Sequence, residues 1–117
     1  MDKQNNRKTG SFYEDRAAGY LQQHGFNIIA RNFRCKIGEI DIIAFDKNCL
    51  CFIEVKYRKN DSCGRPAAAV TYSKQRTIIR VSEYFIMKRN MYDFMRRYDV
   101  IEILGNDITL FKNAFGG

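Results

Sequence analysis

The stretch GEIDIIAFDKNCLCFIEVKY, Gly38 to Tyr57, decides the fold of this 117-residue chain. Gly38 to Phe45 is rich in isoleucine, Leu50 to Tyr57 alternates, and Asp46-Lys47-Asn48-Cys49 between them is short and polar, so the stretch reads as two antiparallel strands joined by a turn. Register follows from the turn. A two-residue loop at Lys47 and Asn48 pairs Asp46 with Cys49, and a four-residue loop pairs Phe45 with Leu50; both put Asp41 opposite Glu54 and Glu39 opposite Lys56. An odd loop would slip the pairing by one and send the acids to opposite faces, so the even loops are the expectation.

Facing carboxylates repel, and the pair asks for a compensating charge. A hard cation such as Mg²⁺ (or Mn²⁺) takes one or two carboxylates, retained waters and a substrate phosphate, so Asp41 and Glu54 suit it as metal ligands. Lys56, two residues beyond Glu54 on the same face, is placed to orient an attacking water or to offset developing charge. The competing reading is a solvated strand face with cross-strand salt bridges, Glu39 to Lys56 being the obvious one.

Upstream, Thr9 to His24 is helical in pattern, with Tyr13, Ala17, Ala18 and Leu21 on one stripe and Gly25 as stop signal. Glu14 falls on that stripe and turns toward the sheet, where a lone carboxylate needs a cation or hydrogen-bond donors; the alternative is a first-turn glutamate facing water. Phe26 to Phe33 reads as a first strand, completing a three-strand meander that carries the site. Downstream, Arg58 to Pro66 is a polar loop, Ser73 is the expected N-cap, and Lys74 to Asn90 is helical with Ile78, Val81 and Phe85 facing the core. Tyr98 to Leu104 and Ile108 to Phe111 are strands joined at Gly105-Asn106-Asp107. This order predicts one domain over residues 1–117, with 1–8 flexible, in the α/β class: a mixed central sheet of about five strands flanked by helices.

Twenty lysines and arginines against 13 acids give a formal charge of +7, which attracts polyanions, nucleic acid first among them. Arg58, Lys59 and Arg65 on the polar loop and Lys74, Arg76 and Arg80 on the second helix form the candidate phosphate-contacting patch, each weighed against a plain solvated charge. Tyr57 and Tyr72 are the aromatic candidates for stacking on an unpaired base. No apolar run approaches about 20 residues and no signal-peptide pattern opens the chain, so a soluble cytoplasmic protein with no membrane partner is expected. Cys35, Cys49, Cys51 and Cys63 lack CxxC spacing and His24 is the only histidine, which favours ordinary reduced cysteines over a zinc site. His24, near a helix end, reads as a cap rather than a base. A homodimer, which would let two sites address two strands, is a further expectation for so small a basic domain.

An acid on a first helix, then an Asp, a short hairpin and Glu-x-Lys resembles the PD-(D/E)xK, or restriction-endonuclease-like, nuclease superfamily, particularly its Holliday-junction-resolvase branch. The nearer resemblance is to the bacterial YraN-like family. It rests on Gly10 and Glu14, Asn32-Phe33-Arg34, Gly38 through Ala44, Phe52 through Arg58, Gly64 with Pro66, Lys74, Arg97-Tyr98-Asp99-Val100 and Asn113-Ala114-Phe115, and so covers nearly the whole chain. The resemblance implies that Asp41 and Glu54 are metal ligands, Lys56 the active-site lysine and Glu14 the first-helix acid. It also implies metal-dependent hydrolysis of phosphodiester bonds in DNA, with branched or flapped structures as candidate substrates. The superfamily's proline before Asp41 is Ile40 here, a change that leaves the carboxylate in place.

Overall fold

The computed structural model describes residues 3–59 and 70–116, with side chains from residue 12 onward. The polar loop between these segments therefore lies outside the described residues, together with Cys63, Gly64, Arg65 and Pro66. In chain order the elements are α1 (Lys3–Gln23), β1 (Phe26–Arg34), β2 (Glu39–Asp46), β3 (Cys49–Arg58), α2 (Tyr72–Arg89), β4 (Met95–Leu104) and β5 (Asp107–Phe115). The five strands form one mixed sheet in the order β1-β2-β3-β4-β5. Only β3 and β4 run parallel, and a parallel pair needs a crossover, which the segment holding α2 supplies.

Alternation along the strands builds two cores. Ile42, Ala44, Cys51, Ile53, Ile101 and Ile103 point to one face and are covered by Ala17, Ala18 and Leu21 of α1. On the other face Ile40, Ile43, Leu50, Phe52, Tyr98, Val100 and Phe115 meet Ile78, Val81, Phe85 and Ile86 of α2. The result is a helix, sheet, helix sandwich, the expected α/β class. Among the described residues no helix is long and apolar enough to cross a membrane.

The hairpin has the two-residue loop. Asp46 pairs with Cys49 and the ladder runs on to Ile42 with Ile53, with Lys47 taking the left-handed conformation (φ 57°) that such a turn needs. Several boundaries differ from expectation: β4 begins at Met95 rather than Tyr98, β5 runs on to Phe115 rather than Phe111, and both helices shift at their starts. α1 begins at Lys3 rather than Thr9, since a helix once nucleated extends at little cost through residues with no proline. α2 is capped by Thr71, whose Oγ1 accepts the Lys74 N–H at 3.2 Å, whereas Ser73 lies in the first turn and its carbonyl accepts from the Thr77 hydroxyl. Either hydroxyl suits a cap by composition; the extended backbone at Thr71 (φ −61°, ψ 152°) decides between them. At its other end α2 closes on Asn90 in the left-handed conformation, where the Met91 N–H reaches the Ile86 carbonyl.

The β1–β2 turn is seated tightly on α2: a Cβ at Gly38 would lie 2.6 Å from the Thr77 methyl. His24 does cap α1, its Nδ1 lying 2.8 Å from the Tyr20 carbonyl oxygen. Cys35, Cys49 and Cys51 are free thiols, and burial pushes the Cys51 thiol up to about 12.

Candidate active site at a fork between two strands

Strand alternation breaks at Asp41. Ile40 and Ile43 both join the α2-side core, although their numbers differ by an odd step, and Ile42 lies on the α1 side between them. The matching distortion in β1 is at Asn32, whose φ of 54° sends Arg31 and Asn32 together toward α1. Beyond the Ile42–Ile53 pair the β2–β3 ladder stops, and the Val55 N–H donates to Asp41 Oδ2 at 2.8 Å. A carboxylate has replaced a backbone carbonyl as the acceptor, so the strands fork with the Asp41 side chain in the opening.

Glu54 enters this fork from β3. Leu50 and Phe52 face α2 and Cys51 and Ile53 face α1, so Glu54 and Lys56 project on the α2 side. There the Lys74 ammonium, from the first turn of α2, stands 3.9 Å from Glu54 Oε1. Glu54 is 15% exposed and Lys74 49%, so a mobile, hydrated cation faces a buried anion. Glu14 approaches from α1 and is pinned by two donors, Arg31 Nε at 3.1 Å and Asn32 Nδ2 at 2.8 Å. Its position toward the sheet is one of the two readings the sequence left open, and Arg31 and Asn32 supply the cation and donor that position needs.

Electrostatics tie the group together. Burial pushes the Asp41 carboxyl up to about 6, against the pull of the Val55 hydrogen bond, and the charges of Glu14 and Glu39 push the same way. Burial likewise raises Glu54 to about 7, reinforced by Asp41 and opposed by Lys74 and Lys56. Each is a carboxyl short of positive charge near neutral pH. Asp41 thus feels the charges of Glu14, Glu39 and Lys74, and Glu54 those of Asp41, Lys74, Glu39 and Lys56; Lys74 comes from α2, outside both the hairpin register and the α1 stripe. Glu39 is held at 2.7 Å by Arg34, its cross-strand neighbour on β1, a partner the hairpin register did not include.

The basic residues disperse. Arg58 pairs with Glu102 of β4 at 3.1 Å, both side chains well buried, an internal use that sets it apart from the surface patch. Lys59 is exposed just past β3, Arg76 stands 5.8 Å from the Tyr72 ring, and Arg80 lies farther along α2. Tyr57 stacks on Tyr13 with ring centroids 3.6 Å apart, anchoring α1 over the end of β3. Arg65 lies outside the described residues. Sequence reasoning missed Arg31 and Asn32 as supports of Glu14 and the Val55 amide as support of Asp41. The Asn32-Phe33-Arg34 run was noticed only for its resemblance; an asparagine between strand residues was the available signal, since asparagine tolerates positive φ.

A mixed five-stranded sheet between two helices, with acids gathered where β2 and β3 part, defines an α/β protein compatible with the restriction-endonuclease-like fold. Residues 13–103 match the family model described as uncharacterised protein family UPF0102. The chain is 44% identical over 117 residues to a UPF0102 protein of Caldicellulosiruptor saccharolyticus, covering 95% of this chain and 99% of that one. A UPF0102 protein of Clostridium botulinum strain Loch Maree is 46% identical, covering 94% and 95%, and one of Clostridium kluyveri is 42% identical with the same coverage. The chain belongs to the UPF0102 (YraN-like) family.

Proposed function

We propose that this chain is a metal-dependent endonuclease that hydrolyses phosphodiester bonds in DNA, with branched and flapped structures the substrates to try first. The observation that carries this reading is the pair Asp41 and Glu54, gathered at the fork with burial raising their carboxyls to about 6 and about 7 despite the opposing charges of Lys74 and, at Glu54, Lys56. Burial that leaves two acids under-compensated is the condition a hard divalent cation relieves. Among the described residues no three His, Cys, Asp or Glu side chains form a metal cluster. Two carboxylates nevertheless fit Mg²⁺ or Mn²⁺, which retain waters and take a substrate phosphate for their other positions. When bound, such an ion supplies Lewis acidity toward a phosphoryl oxygen and acidifies water.

The chain's own groups have separate tasks in this reading. The Val55 amide fixes one oxygen of Asp41, leaving the other to bind. Lys56 lowers the cost of charge on Glu54 and donates to the attacking water or the scissile phosphate. Glu14, immobilised by Arg31 and Asn32, is a fixed acceptor that orients water on the α1 side. Lys74 leaves Glu54 for a phosphate oxygen when DNA binds, and Lys59, Arg65 and Arg76 hold the flanking backbone, whereas Arg80, farther along α2, borders a separate groove.

The same 3.9 Å approach of Lys74 favours a second reading, in which the lysine is a permanent counter-charge and the chain is a noncatalytic nucleic-acid-binding or assembly module. Incubating the protein with branched, flapped, single-stranded and linear DNA in Mg²⁺ or Mn²⁺, beside Asp41→Ala and Glu54→Ala, separates the two. Cleavage by the parent alone, with binding kept in both variants, supports the endonuclease. Binding without cleavage by all three supports the module, and no binding at low salt sinks both, because phosphate attraction is greatest there.

A further inference from the structure

The outer side of α2 carries a second stripe, away from its core stripe and away from the fork. Arg80, Glu83, Tyr84 and Met87 follow one another at helical spacing and line a groove of about 460 Å³. Ile37 from the β1–β2 turn, Tyr92 from the α2–β4 connection and Arg96 of β4 complete its walls. Met87 is 53% exposed and Tyr92 60%, and the surface continues in sequence to Phe94 and Met95, both exposed. Large apolar side chains gathered in a groove and rimmed by charge mark an interaction site, whereas a single exposed one means little.

The chemistry of the rim selects the occupant. Arg80 and Arg96 border the apolar walls, the Lys88 ammonium stands 6.0 Å from the Tyr84 ring, and Glu83 is the lone acid among the lining residues. A phosphodiester backbone would engage the arginines and leave Ile37 and Met87 wetted. A second copy of this chain would bring +7 against +7. We infer that this groove docks a short segment of another protein that presents bulky apolar side chains along one face and acidic side chains beside them. A methionine in the wall adapts to different apolar shapes, and an apolar groove bordered by arginines suits a short amphipathic segment. This docking is independent of any chemistry at the fork.

Panning a random-peptide display library on the intact chain, with counter-selection on Met87→Asp, tests it. The expected result is an enriched class that combines acids with at least two bulky apolar residues. Fluorescence anisotropy of a synthetic member should show at least about ten-fold weaker binding to Met87→Asp and to Arg80→Glu/Arg96→Glu, and a charge-reversed peptide should regain binding to the latter. All these positions are at the surface, and unchanged thermal melts check that the variants fold. Four outcomes overturn the proposal: no enriched class; enriched peptides that bind Met87→Asp equally; self-association of the free chain that Met87→Asp abolishes; or displacement of the peptide by duplex DNA whose own binding needs the arginines but not Met87.

Discussion

Asp41 and Asp46 sit five residues apart on one strand and live in opposite electrostatic surroundings. At Asp46 burial opposes charge, yet hydrogen bonds from Arg97 at 3.0 Å and Lys112 at 3.2 Å outweigh it and hold the carboxyl below its usual range. Arg97 also forks onto the fully buried Asp99, which takes the Asn113 N–H at 2.9 Å where β5 departs from regular pairing, and this raises the guanidinium's affinity for its proton further. Arg97 and Lys112 in addition stand 5.9 and 5.7 Å from the Phe26 ring. Asp46 and Asp99, at that end of the sheet, each have a cation at hydrogen-bonding distance. At the fork Lys74 stands 3.9 Å from Glu54 and Lys56 adds its charge, yet burial still raises both carboxyls. The same fold that neutralises acids where they serve packing leaves them wanting where β2 and β3 part.

On the proposed endonuclease reading, the contrast breaks most visibly in DNA cleavage. Asp41→Ala and Glu54→Ala should each lower the DNA cleavage rate by at least about a thousand-fold, equivalent to about 4 kcal/mol of barrier. Asp46→Asn, at the other end, should change it little; equal losses in a single-turnover assay would mean that the two ends do not differ in function. Next comes Asp99→Ala, which removes the carboxylate that Arg97 grips through Nε and Nη2 and that accepts the Asn113 N–H, leaves the Arg97–Asp46 bond in place, and should cost about 3–5 kcal/mol in urea unfolding. A loss below about 1 kcal/mol would show the Arg97 network to be loosely held.

Glu54→Gln should act in the reverse direction. The folded carboxyl at about 7 binds a proton at pH values where its unfolded counterpart, near the usual 4.5, has lost it. Its ionisation therefore drains stability as pH rises from about 4.5 to about 7. Glu54→Gln should thus raise stability by about 1–3 kcal/mol at pH 8 and by almost nothing at pH 4; a pH-independent effect would contradict the raised carboxyl. Mg²⁺ should raise the melting temperature at pH 8 by a few degrees, about 1–2 kcal/mol, and less at pH 5, where protons compete for the same oxygens. Isothermal titration with Asp41→Asn should find that heat gone. The smallest expected effect is Thr71→Ala, about 1 kcal/mol from the lost cap, with some loss of DNA affinity because the cap holds the turn that carries Lys74.

What the chain announces about itself follows the range of the forces involved. The hairpin register was legible because turn length and alternation are local, and both point to one pairing. The α1 stripe of Ala17, Ala18 and Leu21 was legible for the same reason, and it carried Glu14 with it. The fork was not. Regular alternation would put Asp41 on one face, and the departure depends on a left-handed Asn32 in the strand on one side and on an amide freed in the strand on the other. Thr71 and Ser73 have equal capping chemistry, so only the path of the chain into α2 separates them. Arg58 and Lys74 look alike as loop and helix cations. That one turns inward to Glu102 while the other reaches Glu54 depends on β4, which enters the sheet more than forty residues later.

That lone parallel pairing also orders events in time. β1, β2 and β3 are joined by short turns, while β3 meets β4 at a constant separation, Cys49 with Met95 and Arg58 with Leu104, 46 positions in each case. Closing so long a loop is slow compared with zipping a meander. Asp41 and Glu54 are therefore brought near each other while water still reaches them, and their dehydration is deferred to the last stage of assembly. Alkaline conditions should then hasten the escape from the native state far more than they slow the approach to it.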